Sequence, residues 1–130
     1  MQAEIGLRDK VFNLAEAHAL LPVLQVVCRR HFLQLQPIQE RLSKMLANDP
    51  RRKVYEREFE LQVSQWRSKA TQLGVQVVGL WTVEFDVGEG SLCWRYPEIS
   101  INTFRKHGTE FSERVKLRDY IEEYDPEWVR

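Results

Sequence analysis

The hydrophobic period of this chain changes at Gly74, and the change divides it into a helical part and a strand part. Before Gly74, apolar residues recur at every third or fourth position, which places them on one face of a helix. After Gly74, apolar and polar residues alternate, which is typical of strands with one buried face. Helices followed by strands predict an α+β fold.

The first helix has a recognisable start. Asn13 can accept the amide of Glu16 while the Glu16 side chain reaches back to Asn13, which is a capping box. Apolar residues then recur from Leu14 to Met45, and the turn residues 48–50 end the element. Pro22 and Pro37 each lack an amide, so we expect a bend or a short break at each.

A second helix is predicted from about residue 51 to residue 73, and Gly74 suits the left-handed position that ends it. The short turn between the two helices predicts a long antiparallel helical hairpin. The inner face of the second helix is predicted to hold Tyr55, Phe59, Gln62, Val63, Trp66, Ala70 and Leu73.

The strand part predicts a small antiparallel β-meander that packs on the hairpin. Its first strands hold Val83 and Phe85, then Leu92 and Trp94, with a glycine-rich hairpin loop at residues 86–90. We expect a third strand at Ile99 and Ile101, and short helical turns in the C-terminal part.

Composition limits the protein class. The 130 residues are 43% hydrophobic, and 19 basic residues balance 19 acidic residues, which fits one small domain and excludes a disordered tail. We place the domain at residues 1–117. Residues 118–130 hold five acidic and two basic residues, net charge −3, with three aromatic side chains, and are treated as an extension.

The residue content of the chain also bears on the cellular location of the protein. No stretch approaches the roughly 20 apolar residues of a membrane span, and residues 1–10 lack the layout of a secretory signal. Cys28 and Cys93 are too few for a disulfide framework, which favours a reducing compartment. These features predict a cytoplasmic protein without a membrane partner.

Short motifs follow one another along most of the chain. They are Phe12-Asn13-Leu14-Ala15-Glu16-Ala17-His18-Ala19-Leu20-Leu21-Pro22, Leu73-Gly74-Val75, Leu92-Cys93-Trp94-Arg95, Pro97-Glu98-Ile99, and Phe111 with Arg114. In this order they resemble an uncharacterised bacterial family, domain of unknown function 2203, over residues 12–117. The family's strand motif is shorter here, and Phe104-Arg105 replaces its Trp-His pair. The resemblance supports the fold and leaves the function open.

A metal site is considered at Cys28 and His31, which lie one helical turn apart and provide half of a transition-metal site. A closed site needs four ligands. A buried cysteine and a histidine at the boundary explain the pair as well, so no metal and no other cofactor is predicted.

A nucleophile is considered at Cys93, with Arg95 lowering its pKa and His107 acting as base. Cys93 alternates out of phase with Leu92 and Trp94, and no oxyanion-hole motif is visible. An inert cysteine on one sheet face is therefore favoured.

The polar candidates for a ligand site are Glu84, Cys93, Arg95, Glu98, His107 and Arg114. Glu84 and Arg95 fall on the same side of the strand alternation as Cys93, so they form either a cross-strand ion pair or one wall of a pocket for a small anion. In the second interpretation His107 and Arg114 join from the C-terminal segment. Because paired charges on an open sheet face are common, the structural interpretation is favoured.

A basic stretch surrounds the hairpin tip. Between Arg29 and Arg57 eight basic and three acidic residues give net charge +5, and Arg51-Arg52-Lys53 suits phosphate groups. The stretch has no aromatic platform and no helix-turn-helix spacing. A solvated face, or one that binds the acidic extension of the same or a neighbouring molecule, is favoured over nucleic-acid binding.

Two functions of different classes remain. The first is a non-catalytic protein–protein interaction module, a homodimer or a partner-binding protein that assembles through its helices. The absence of a complete catalytic or cofactor motif favours it over an enzyme. The alternative is a small-ligand-binding protein or enzyme with its site at the sheet–helix junction around Arg95.

Overall fold

The structure is a computed structural model that describes residues 10–130. The elements are α1 Leu14–Lys44, α2 Arg52–Gln72, β1 Gln76–Gly79, β2 Thr82–Asp86, β3 Gly90–Arg95, β4 Thr103–Lys106, a 3₁₀ helix Phe111–Glu113, β5 Val115–Lys116, α3 Leu117–Tyr124 and a 3₁₀ helix Glu127–Val129. The five strands form one antiparallel meander in the order β1 to β5. The α+β fold is confirmed. The predictions for residues 1–9, a domain start at residue 1 and a start without a secretory signal, lie outside the described residues.

Helix α1 begins where the capping box predicts. Asn13 Oδ1 accepts the Glu16 amide at 2.8 Å, and Glu16 Oε1 accepts the Asn13 amide at 2.9 Å. The helix continues through Pro22 and Pro37, so of the bend or short break expected near each, the break does not occur. Both prolines lie on the exposed side, where water can bond the carbonyls that lose their amide partners. The result is one helix about 46 Å long at 1.5 Å per residue.

The two long helices form the predicted hairpin. Helix α2 ends at Gln72, and Gly74 follows with φ 98°, the left-handed conformation that suits glycine. The indole Nε1 of Trp66 in α2 donates to Cys28 Sγ in α1 at 3.3 Å, which ties the helices together inside the core. Cys28 and Cys93 are both buried free thiols.

One face of the sheet forms the core with the hairpin. Its side chains come from the three central strands and are buried: Val83, Phe85, Leu92, Trp94 and Phe104. They belong to the same apolar cluster as residues of α1 and α2. The other face of the sheet is polar, because the residues that alternate with these apolar ones along each strand point to it and most of them are polar.

The third strand predicted at Ile99 and Ile101 is wrong, because the next strand is β4. Residues 95–98 form a turn, in which the Glu98 amide donates to the Arg95 carbonyl and Glu98 Oε1 accepts the Arg95 amide. This turn leaves Ile99 88% exposed and buries Ile101. The alternation restarts beyond it, with Phe104 in the core and Arg105 on the polar face.

The C-terminal residues pack on the sheet. Trp128 is buried and stacks on Phe104 with 5.3 Å between ring centroids, and its Nε1 donates to Glu89 at 2.7 Å. Tyr120 of α3 lies 4.2 Å from the Phe104 ring. The domain boundary at residue 117 stays a prediction, but Trp128 and Phe104 belong to one core.

Among residues 10–130, no helix has the length and hydropathy that a bilayer crossing requires.

Candidate functional site

A buried carboxylate lies at the centre of the polar face of the sheet. Glu84 in β2 is 0% exposed and pairs across the strands with Cys93 in β3. Its two oxygens accept from Arg105 in β4, Oε2 from Nε at 2.9 Å and Oε1 from Nη2 at 2.7 Å. Because Arg105 is longer than the strand spacing, its side chain reaches Glu84 from beyond β3. A buried carboxylate requires such a partner.

Cys93 is held as a thiol by this environment. Its Sγ donates to Glu84 Oε2 at 3.4 Å. Burial raises the pKa of Cys93 to about 12, and the charge and hydrogen bond of Glu84 act in the same direction. Arg114 and Arg105 lower the pKa by smaller amounts. At neutral pH the thiolate is scarce, which agrees with the inert cysteine predicted from the alternation.

The predicted pairing of Glu84 with Arg95 is wrong. Arg95 lies opposite Thr82 at the end of β3, where it is exposed. Glu98 also lies away from Glu84, and its carboxylate caps the turn through the Arg95 amide. Register is the reason, since residue 84 faces residue 93 and the cation that neutralises it comes from β4.

The last two predicted residues lie at different places. His107 Nε2 is 3.2 Å from Asp86 Oδ1 at the edge of the polar face, and both side chains are partly exposed. Arg114 lies in residues 107–114, which we call the cover segment. Its guanidinium stacks on Phe111 at 3.9 Å from the ring centroid. The structure therefore brings Glu84 and Cys93 together, places Arg114 against Phe111 on the cover segment, and leaves Arg95, Glu98 and His107 away from the Glu84–Cys93 pair.

The cover segment explains why a polar sheet face is buried. Arg105 Nη1 donates to the Thr109 carbonyl at 2.9 Å, which anchors the segment over the strands. Phe111 lies over Glu84 and Arg105 and lines a cleft with them. Ser91 is also fully buried on this face, and its hydroxyl makes no hydrogen bond within the described residues.

The half-site at Cys28 and His31 has other contacts. Cys28 Sγ accepts the Trp66 indole N–H, and burial raises the pKa of this thiol. His31 is buried in the hairpin seam, and neither ring nitrogen makes a hydrogen bond within the described residues. Burial lowers the pKa of His31. Across residues 10–130 no three metal-ligating side chains come together.

A second candidate surface is the outer face of α1. Exposed residues follow one another there at alternating spacings of four and three: Ala19, Val23, Val26, Arg30, Leu33 and Pro37. Alternating spacings of this kind are the a and d positions of a heptad, the pattern by which helices pack on each other. This heptad stripe lies on the side of α1 opposite its buried residues. It extends over about 27 Å at 1.5 Å per residue.

The ends of the hairpin carry opposite charges. The basic tip holds Arg51, Arg52 and Lys53 beside the C-terminal end of α1. The N-terminal end of α1 lies beside the β2–β3 loop, because the Phe12 amide donates to the Asp86 carbonyl at 2.7 Å. We call this the acidic end, and its acids are Glu16, Asp86, Glu89 and Glu127. The length of α1 separates the two ends, so the basic tip can meet an acidic end only in another molecule.

Residues 10–117 match the family described as Uncharacterized conserved protein (DUF2203). The chain belongs to this family. The resemblance drawn from the motifs is thereby confirmed. No curated protein and no solved structure matches the chain.

Within this DUF2203 chain, the functional residue that the sequence reasoning missed is Arg105. It stands in the Phe104-Arg105 pair, where the resemblance to the family implies a Trp-His pair. Arg105 was missed because the third strand was predicted at Ile99 and Ile101. Only the observed position of β4 places Arg105 on the face of Glu84. Phe111 was noticed as a motif residue, but its position over the strands has no signal in the sequence.

Proposed function

We propose that the chain is a non-catalytic protein–protein interaction module that self-associates through the heptad stripe of α1. The observation that carries the proposal is the stripe itself. Five apolar residues at a and d positions, with Arg30 among them, are exposed along one helix face. Exposed apolar residues gathered along one helix face in this way make it a candidate interaction surface.

The stripe is complementary to a second copy of itself. When two α1 helices run antiparallel and cross near Cys28, residue 23 faces residue 33 of the other copy, and residue 19 faces residue 37. Each a position then meets a d position, and Leu33 packs on Val23. Residue 26 faces Arg30, whose aliphatic stem can cover apolar surface while its charge reaches water. This symmetric arrangement closes as a dimer.

Charge supports the same arrangement. Antiparallel packing brings the basic tip of one copy to the acidic end of the other, and the contact occurs twice in the dimer. Lys53 is exposed at the tip, and Glu127 is exposed at the acidic end. Complementary charges at the rim orient the partners and contribute to specificity more than to affinity.

The polar face supports a non-catalytic protein. Glu84 is neutralised by Arg105, and the pKa of Cys93 stands at about 12. The groups with catalytic potential therefore bind each other. The proposal includes a cytoplasmic location in bacteria, which two buried free thiols support because a reducing compartment preserves them.

The test is sedimentation of the wild-type chain over a concentration series up to the millimolar range. We expect a reversible dimer, and we expect Leu33→Lys to abolish it because the charge enters the apolar seam. Leu61→Lys on α2 is the matched control, since Leu61 is 55% exposed and Leu33 is 54% exposed. A monomeric wild type, or equal loss of the dimer in both variants, would refute the proposal.

A further inference from the structure

A cleft opens on the polar face between the cover segment and the edge strand β1. Its volume is about 280 Å³, and Val78, Gly79, Thr82, Glu84, Arg105 and Phe111 line it. Val78 and Phe111 provide apolar walls, and the absence of a side chain at Gly79 leaves room at the rim. The floor is the Glu84–Arg105 ion pair.

The floor retains free hydrogen-bond donors. A guanidinium carries five N–H groups, and within the described residues Arg105 uses three of them, two on Glu84 and one on the Thr109 carbonyl. The Arg105 side chain is 20% exposed, so its remaining donors can reach a ligand. The two acceptor oxygens of Glu84 are already occupied by Arg105, and the Cys93 thiol shares one of them.

A second guanidinium, that of Arg114, lies against Phe111, one of the residues that line the cleft. Within the described residues Arg114 uses only Nε, which donates to the Phe111 carbonyl at 2.9 Å. Its plane stacks on the Phe111 ring, which holds the guanidinium close to the cleft wall. The positive charge of Arg114 also lowers the pKa of Cys93, so this charge acts on the polar face.

The local charge selects the ligand class. Glu84 cancels Arg105, and Cys93 is neutral, so Arg114 is the charge left unbalanced among those that act on Cys93. A cationic ligand would have to displace Arg105 from Glu84 and would face Arg114. An anion meets neither obstacle, and a carboxylate matches the planar fork of a guanidinium.

We propose that this cleft binds a small organic carboxylate, whose apolar body packs between Phe111 and Val78 and whose carboxylate accepts from the free N–H groups of Arg105 and Arg114. This binding site is independent of the heptad stripe, which lies on a helix at the other side of the core. A ligand here would also tie the cover segment to the sheet.

Nuclear magnetic resonance titration of the full chain tests the proposal with three probes. Benzoate supplies both the carboxylate and the apolar body, benzamide keeps the body without the charge, and inorganic phosphate supplies an anion without a body. We expect benzoate to bind with saturable shifts at the Cys93 and Phe111 amides, and to bind much more tightly than the other two probes. No saturable shifts, or equal binding of benzamide or phosphate, would overturn the proposal.

Two variants locate the site. Arg114→Gln removes the excess charge from an exposed position, and we expect it to weaken benzoate binding about tenfold, the effect of losing one charge-assisted hydrogen bond. Arg118→Gln removes the same charge from the start of α3 and serves as the control. If both variants bind benzoate as the wild type does, or if both lose the same affinity, the assignment to this cleft is wrong.

Discussion

The Glu84–Arg105 pair permits a quantitative test of the polar face. Arg105→Met removes two charge-assisted hydrogen bonds to Glu84, of 2.9 and 2.7 Å, and a third bond, of 2.9 Å, to the Thr109 carbonyl. Of the partners that Glu84 has within residues 10–130, it leaves only the Cys93 thiol, beside a carboxylate whose side chain is 1% exposed. Breaking a buried pair in this way costs about 3–5 kcal/mol. Since the Arg105 side chain is 20% exposed and partly screened, we take the lower limit, about 3 kcal/mol.

The assay is urea unfolding followed by tryptophan fluorescence. For a domain of this size, 3 kcal/mol lowers the unfolding midpoint by about 2 M urea. The double variant Glu84→Met/Arg105→Met replaces both charges with apolar side chains, and we expect it to lie within about 1 kcal/mol of the wild type. Arg95→Met is the matched control, because Arg95 lies exposed on the same sheet face, and its effect should stay within about 0.5 kcal/mol.

Two results would refute this reasoning. The first is an Arg105→Met variant within about 1 kcal/mol of the wild type, which would mean that water solvates Glu84 in place of the guanidinium. The second is a double variant no more stable than Arg105→Met, which would show that the loss comes from the Arg105 stem or its bond to Thr109 and not from an unpaired charge.

Three further predictions concern the core and the hairpin seam. A Cβ at Gly90 would lie 2.4 Å from Phe104 Cζ, so we expect Gly90→Ala to lower the free energy of unfolding by about 1–3 kcal/mol. The control is Gly79→Ala, where the nearest neighbour of the new Cβ is 3.8 Å away. It should have little effect in the same urea assay. Burial lowers the pKa of His31, so its neutral form stabilises the fold above the unfolded pKa of about 6.5, and this contribution is lost as the pH falls below that value. Unfolding curves between about pH 7 and 5 should therefore show a smaller loss of stability for His31→Leu than for the wild type, and equal slopes would contradict the assignment. Trp128→Ala should cost about 3–5 kcal/mol in one cooperative transition, because the indole is buried on the sheet, and an unchanged midpoint would show that residues 118–130 fold separately.

Much of the fold was predictable because each local signal was redundant. The helical hairpin rests on the capping box at Asn13, two long apolar stripes and Gly74, and these agree with each other. The β2–β3 hairpin likewise rests on alternation and on a glycine-rich loop. Where signals conflicted, the sequence left two outcomes open, as at Pro22 and Pro37, where a bend or a break was expected and the helix is unbroken.

The site was less predictable, because its residues meet through register and not through spacing. Sequence alternation placed Glu84 and Cys93 on one face, and that prediction is confirmed by their pairing. The partner of Glu84 depends on where β4 begins, and Ile99 and Ile101 gave a stronger strand signal than Thr103 and Arg105. A shift of the strand by a few residues was enough to assign the wrong arginine.

The chain covers the polar face of its sheet but leaves the heptad stripe exposed. Eight residues fold over the polar face, so that Thr82, Glu84, Ser91 and Cys93 are buried although they point away from the main core. The apolar stripe of α1 has no cover among the described residues, although exposing it costs free energy and exposing polar groups does not. Under the proposed function, the apolar stripe requires a partner outside the chain. A second copy satisfies that requirement, since its stripe has the same spacing and its acidic end the opposite charge to the basic tip.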